Sequence, residues 1–206
     1  MTSSEPGIAP MWIEGWGDLP GQLVVVSGPS GSGKSSVIRA ALGSGVLNAR
    51  LSVSATTRER RPGEQDGVDY HFITSDEYTQ KRLSGGFLEW AQYGANFYGT
   101  PSLPVYQALQ AGQSVILEIE VQGALQVRSS APTAYFLFIK APSFRALEAR
   151  LRGRRTEPEE VILQRLRAAR AELAEAHWYD HVLVNDDFDR CVGDLIRLLK
   201  ENGCGG

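Results

Sequence analysis

The run Gly28-Pro29-Ser30-Gly31-Ser32-Gly33-Lys34-Ser35 restricts this chain more than any other feature it carries. It follows an unbroken apolar stretch, Leu23–Val26, and leads into a helical pattern of Val37, Ile38, Ala41 and Leu42. G-x-x-x-x-G-K-[ST] acquires a mechanism in that setting of strand, glycine turn and helix. Glycines let the main chain wrap closely, where side chains would block a ligand. The loop's N–H groups and the helix N-terminus then face an anion. Such a cradle suits a nucleotide triphosphate, with Lys34 reaching the β- and γ-phosphates and Ser35 offering its hydroxyl to Mg2+. The triphosphate-side candidates are Gly28, Pro29, Ser30, Gly31, Ser32, Gly33, Lys34, Ser35 and the adjoining Ser36. The motif alone does not separate kinase, GTPase and ATPase.

The remaining chain keeps alternating. Ser114–Ile119 and Ala134–Ile139 read as further buried strands, and His181–Val184 as a shorter one. Helix-like stretches lie near 33–43, 122–129, 143–151, 159–178 and 187–201. Strand and helix in alternation predict an α/β fold with a mainly parallel sheet flanked by helices. Residues 55–100 break the rhythm with Arg61-Pro62-Gly63, Asp66-Gly67 and Gly85-Gly86, between short β-type runs at Tyr70–Ile73 and Phe87–Tyr93. Ser75-Asp76-Glu77 marks a helix start between those runs and Gly85 a stop. This reads as a small mixed β/α insertion. The expected organisation is an irregular N-terminal extension over 1–20, a core of 21–54 and 101–206, and the insertion at 55–100. Trp12 and Trp16 give the extension a means of docking.

Composition narrows the partners. A chain of 206 residues suits one domain with a subdomain, and 42% hydrophobic with 22% charged residues describes a globular one. No apolar run approaches the roughly 20 residues of a membrane span. Lys and Arg total 21 against 24 Asp and Glu, a net charge of −3, which disfavours nucleic acid as the main partner. Lys34 is the first basic residue, so the charged region of a secretory signal is missing and a cytoplasmic protein is expected. Cys191 and Cys204 lack metal-site spacing. Cys191 reads as a packed small hydrophobe, and Cys204, in a Gly-rich tail, as a loose thiol.

The segments Ser52–Glu64 and Gly67–Phe72 crowd hydroxyls, arginines and a tyrosine together, a set able to bind a dianionic phosphate. Taken alone, a charged hairpin on a solvated face reads the same. With Phe87-Leu88-Glu89-Trp90-Ala91, Asn96-Phe97-Tyr98-Gly99-Thr100, Ile116–Gly123, Phe136–Ile139 and Val184-Asn185-Asp186-Asp187 in order, however, the chain resembles the guanylate kinases from about Gly21 to Leu199. The resemblance implies a P-loop kinase fold whose insertion binds GMP. It also implies transfer of the γ-phosphoryl group of ATP to GMP, with Mg2+, in purine nucleotide metabolism. By the same resemblance Ser54, Arg58, Arg61, Tyr70 and Tyr98 hold the GMP phosphate, and Glu89 and Thr100 read the base. The chemistry agrees: guanine's Watson–Crick edge offers a ring N–H and an amine, and one carboxylate accepts both. Adenine sets a bare ring nitrogen against that carboxylate, a mismatch that such sites reject strongly.

Glu118 and Glu120 stand where the family usually has Asp. At a strand end where α/β sheets bind ligands, Glu118 is expected to orient Mg2+-bound water with Ser35, and Glu120 to serve the acceptor side. Gly153 and Pro158 bracket an arginine-rich loop, a lid at about 150–160. The resemblance assigns Arg150, Arg154 and Arg165 to the ATP phosphates and the transferring group, and Asn185 to adenine or ribose. Strand-ending turn residues look the same as Asn185. Arg152, Arg155 and Arg167 read as a charged helix end with no catalytic work, with Arg167 pointing to solvent. On the following helix, Ile162, Leu166, Ala169, Leu173 and Ala176 form one apolar stripe, with Arg165 leaning beside it. A phosphate acceptor that is already ionised requires no general base, and His71, His177 and His181 adjoin no nucleophile motif. Two other readings share these residues: a related P-loop kinase with another phosphorylated acceptor, and an interaction module that keeps the fold but binds proteins. Either a monomer or a homodimer fits.

Overall fold

This computed structural model describes residues 16–153 and 158–205. Trp12 and its neighbours in the N-terminal extension, and Arg154 and Arg155 in the loop, lie outside the described residues. The chain runs β1 (Leu23–Ser27), α1 (Lys34–Gly43), β2 (Ala49–Leu51), β3 (Ala55–Thr56), β4 (His71–Phe72), α2 (Ser75–Leu83), β5 (Phe87–Tyr93) and β6 (Asn96–Pro101). It continues through α3 (Ser102–Gln110), β7 (Ser114–Glu118), α4 (Val121–Ser130), β8 (Tyr135–Lys140), α5 (Phe144–Gly153), α6 (Glu159–Ala174), β9 (His181–Val184) and α7 (Phe188–Leu199).

The strands β2-β7-β1-β8-β9 form one all-parallel sheet. Its central strands are apolar without interruption because both faces are covered. Leu23, Val25, Val115, Leu117, Phe136 and Phe138 face Leu109 of α3 and Ala124 and Val127 of α4. Val24, Val26, Ile116, Leu137 and Ile139 face Val37 and Ile38 of α1 and Leu195 and Leu198 of α7. The chain leaves β1 for one side of the sheet and returns on the other at β8, so the crevice at the C-terminal end of β1 is the expected ligand seat.

The second sheet, β4-β3-β6-β5, is mixed, with β6 antiparallel to β3 and β5 and β4 parallel to β3. Tyr78 of α2 packs on Ala55 and Phe87 beneath it. A bulge between Phe87 and Glu89 breaks the register of β5 against β6. Leu88 therefore joins the main core while Glu89 pairs opposite Thr100.

Some local expectations change. The cap of α2 is Thr74 and not Ser75: Thr74 Oγ1 accepts from the Glu77 N–H at 3.2 Å while Glu77 reaches back to the Thr74 N–H at 2.7 Å. The apolar stripe at 159–178 ends as an α-helix at Ala174 and finishes as a 3-10 turn, Glu175–Trp178. Helix α3 has no counterpart among the sequence expectations; Pro104 sits in its first turn, where a missing N–H costs nothing. Cys204 is fully buried, not a loose thiol, because the tail folds back and its carbonyl accepts from the Asn48 N–H at 3.0 Å. Trp16 packs edge-on against Tyr106 at 5.8 Å and joins the core. No helix among the described residues is long and apolar enough to cross a membrane.

Candidate active site

The glycine loop leaves β1 at Gly28, whose φ is 149° and whose Cβ, if present, would stand 2.0 Å from the Ile139 carbonyl of β8. At its far end Gly33 has φ 86° and caps α1, and a Cβ there would meet Asn185 Nδ2 at 2.3 Å. Only glycine satisfies both positions. Within the loop the Ser32 N–H donates to the Pro29 carbonyl at 3.0 Å. Behind it the Ser32 carbonyl accepts from Asn185 Nδ2 at 2.7 Å and from Arg150 Nη1 at 3.3 Å, and Arg150 Nη2 donates to the Asn185 carbonyl at 2.7 Å. The structure thus brings Arg150 and Asn185 to the rear of the loop, where they satisfy a carbonyl that would otherwise be buried alone.

Lys34 and Ser35 open α1. The Lys34 ammonium lies 3.6 Å from Glu118 Oε1, and the Ser35 hydroxyl donates to the same oxygen. Glu118 ends β7, paired with Val26 of β1, so two neighbouring strand ends deliver these groups together. A hydroxyl and a carboxylate in contact form an all-oxygen donor pair suited to a hard divalent cation. Among the described residues no group of three His, Cys, Asp or Glu forms a metal cage. A pair of this kind fits Mg2+ that fills its shell with water and phosphate oxygens.

These residues line a cavity of about 460 Å3 that also exposes Ser54, Tyr70, Glu89, Tyr98, Glu120 and Arg165. Around the lining Tyr70, the Arg58 guanidinium stacks over the ring at 5.5 Å, and Tyr70 meets Tyr98 edge-on at 6.0 Å. Arg58 Nη2 donates to Glu64 Oε1 at 2.8 Å, and the Arg61 N–H donates to Glu64 Oε2 at 2.8 Å. The bond to Glu64 raises the pKa of Arg58 further, and the bond from Arg58 lowers that of Glu64. Burial raises the Tyr70 phenol. Arg61 is exposed and is not among the lining residues of the cavity.

Deeper in, Glu89 is 5% exposed and Thr100 is wholly buried behind it. Thr100 Oγ1 donates to Glu89 Oε1 at 2.6 Å. Burial lifts the Glu89 pKa from the usual 4.5 to about 7; Thr100 opposes the rise and the charge of Glu120 adds to it. Glu120 keeps solvent access at the start of α4 but is ringed by cleft atoms, which raise its pKa against the pull of Lys34.

Arg165 reaches the loop from α6, its Nη1 3.5 Å from Ser30 Oγ. Arg167 is exposed. Arg152 ties α5 to α6, pairing with Glu148 at 2.9 Å and with Glu159 at 2.5 and 2.8 Å. Among the lining residues that were not sequence candidates are Glu64, Gly123 and Glu172. Glu172 was legible in principle, because Arg165, Ala168 and Glu172 follow the i, i+3, i+7 spacing of one helix face. Burial pushes its pKa to about 7, helped by Glu120. The turn Arg61-Pro62-Gly63-Glu64 carried the signal for Glu64, but no local pattern marks Gly123.

Comparison with known proteins bears on the family. The family model described as guanylate kinase matches residues 20–202. A guanylate kinase of Rubrobacter xylanophilus is 47% identical over 186 residues, covering 90% of this chain and 97% of that one. One from Carboxydothermus hydrogenoformans is 47% identical over 179 residues, 87% of each chain. The crystal structure of a guanylate kinase from Anaplasma phagocytophilum superposes with a TM-score of 0.73 at 30% identity, covering 89% of this chain and 86% of that one.

Proposed function

Since the chain belongs to the guanylate kinase family, its reaction is the transfer of the γ-phosphoryl group of ATP to GMP, and we propose that the two ends of the cleft divide that work between donor and acceptor. One observation carries the division: a single cavity is lined both by Lys34, Ser35 and Glu118 and by buried Glu89 with its Thr100 partner behind it.

At the donor end the loop's N–H groups receive the ATP phosphates, and Lys34 exchanges Glu118 for the β- and γ-oxygens. Ser35, and Glu118 through water, would hold Mg2+, which when bound neutralises charge on the phosphate oxygens. Asn185 and Arg150 support the loop from behind. Arg150 can reach the phosphates itself only by releasing Ser32 and Asn185.

At the acceptor end Ser54, Arg58, Arg61, Tyr70 and Tyr98 hold the GMP phosphate. The Glu89 carboxylate accepts from the guanine ring N–H and amine. Thr100 orients that carboxylate. Its hydroxyl has one proton, which is used on Glu89, so a Thr100 contact to the guanine carbonyl would need that hydroxyl to rotate. Glu120 adds a carboxylate on the acceptor side, and residues 55–100 serve as the acceptor-holding unit.

The acceptor phosphate is mostly dianionic at neutral pH and is its own nucleophile, so no side chain has to remove a proton. Catalysis is positioning plus charge: Lys34, Arg58, Arg165 and the lid arginines offset the negative equatorial oxygens. A coupled ADP-release assay tests the assignment. Turnover with GMP is expected to exceed that with AMP or CMP by about 10²-fold or more. Equal rates with AMP would remove Glu89 as the base reader.

A further inference from the structure

The carboxylate that reads the base rests on a floor made by a missing side chain. A Cβ on Gly123 would stand 2.3 Å from Glu89 Oε2 and 3.0 Å from Glu89 Cδ. Gly123 is the buried third residue of α4 and itself lines the cleft. Its φ is not positive, so its torsions do not call for glycine, and a helix interior disfavours glycine relative to alanine. Space is what remains to explain the residue.

The neighbourhood also blocks the usual relief of such a clash. Gln126, one turn along α4, grips the main chain of Trp90, the residue after Glu89. Its Oε1 accepts from the Trp90 N–H at 3.2 Å and its Nε2 donates to the Trp90 carbonyl at 2.7 Å. Leu88, the residue before Glu89, is packed in the core with Val121, Ala124 and Val127 of the same helix. Strand and helix are therefore held together on both sides of Glu89, and α4 has no slack to retreat. From across the strand pair Thr100 holds the other carboxylate oxygen at 2.6 Å. A methyl at position 123 has to displace the carboxylate itself.

We infer that Gly123 is a specificity-determining position: its lack of a side chain sets where the Glu89 carboxylate sits, and through it the fit to guanine's donor edge. The inference rests on the assignment of Glu89 as the base reader. It predicts a separation that a general packing role does not give. Loss of guanine recognition comes with an unchanged donor site and an undamaged fold.

The experiment compares Gly123→Ala, Glu89→Ala, Glu89→Asp and the double variant Gly123→Ala/Glu89→Asp, by steady-state kinetics with GMP and AMP and by thermal melting. For Gly123→Ala the KM for GMP is expected to rise about ten-fold or more, with weaker discrimination against AMP. The KM for ATP should stay within about two-fold, and the melting temperature should change little, because the helix-forming gain of alanine offsets the cost of moving the carboxylate. The shorter acid withdraws from the added methyl, so Glu89→Asp should be less damaging in the Gly123→Ala background than in the wild type, a non-additive cycle. Wild-type GMP kinetics in Gly123→Ala overturn the inference. So does a lowered melting temperature with KM for ATP and GMP impaired alike. If Glu89→Ala loses discrimination while Gly123→Ala keeps it, only this inference falls. If Glu89→Ala keeps discrimination, the base-reading role falls and the inference with it.

Discussion

Lys34 and Glu118 stand 3.6 Å apart, so the ammonium of the proposed phosphate cradle carries its own counter-ion before any nucleotide arrives. Glu118 also receives the Ser35 hydroxyl. Binding of a triphosphate therefore redistributes a charge pair that is already in place, and the two partners should fail differently. Lys34→Ala should lower turnover by about 10²-fold or more, with GMP affinity unchanged by calorimetry. Glu118→Gln should lower kcat and shift half-maximal activity to higher Mg2+, which a magnesium titration reads directly. Near-normal turnover of Lys34→Ala would show that the cradle is misassigned.

Glu64 accepts from both the Arg58 guanidinium and the Arg61 main chain, each at 2.8 Å. It holds the two arginines in one geometry before the phosphate comes. Glu64→Ala is expected to raise the KM for GMP about ten-fold with a smaller change in kcat. The melting temperature should move little, because partly exposed ion pairs add little to stability. A large loss of stability with unchanged GMP kinetics would reverse that reading.

The Asn185 amide reaches the Ser32 carbonyl at 2.7 Å. Asn185→Ala removes one of the donors on that carbonyl and should cost about 1–2 kcal/mol of stability. The KM for ATP should rise while that for GMP stays near the wild-type value. Chemical denaturation and two-substrate kinetics check both parts, and an unaltered KM for ATP would leave Asn185 without a role at the loop.

Glu89 makes the protein pH-dependent in two ways. Its pKa is about 7 when buried, against the usual 4.5. Ionisation is needed to accept both guanine donors, so the KM for GMP should fall as pH rises through 7. The GMP phosphate also titrates, near pH 6, so the comparison with Glu89→Gln isolates the side chain. For stability the sign is opposite. A carboxyl whose folded pKa is raised contributes fully below pH 4.5, and that contribution is lost as pH rises to about 7. Relative to Glu89→Gln, the ligand-free protein should lose on the order of 3 kcal/mol over that window. Melting curves of both proteins at pH 5 and pH 8 measure the gap; a constant difference would mean that Glu89 is not desolvated.

Much of this was readable along the chain, wherever neighbours in sequence carry the signal. The uninterrupted runs at β1, β7 and β8 are strands buried on two faces. The stripe of Ile162, Leu166 and Ala169 on α6 is buried, and Arg165 beside it does face the loop. Short elements were harder. β2 and β3 have only three and two residues, too few for a period to show, and Pro104 hid α3 among turn-like residues. Cys204 was misread because a Gly-rich tail looks the same whether it is solvated or tucked under a core.

The primary structure alone determined the form of the glycine loop, because Gly28, Gly33 and a lysine at the helix start act within a few bonds of one another. It also settled the layering, since apolar period follows from which faces must avoid water. Folding decided how the site's parts meet. Ser35 finds Glu118 across 83 residues, and Asn185 finds Ser32 across 153. Gly123 meets Glu89 only because Gln126 and Leu88 bind a helix of one layer to a strand of the other. Such distances depend on how packed elements come to rest against one another, and no run of adjacent residues encodes them.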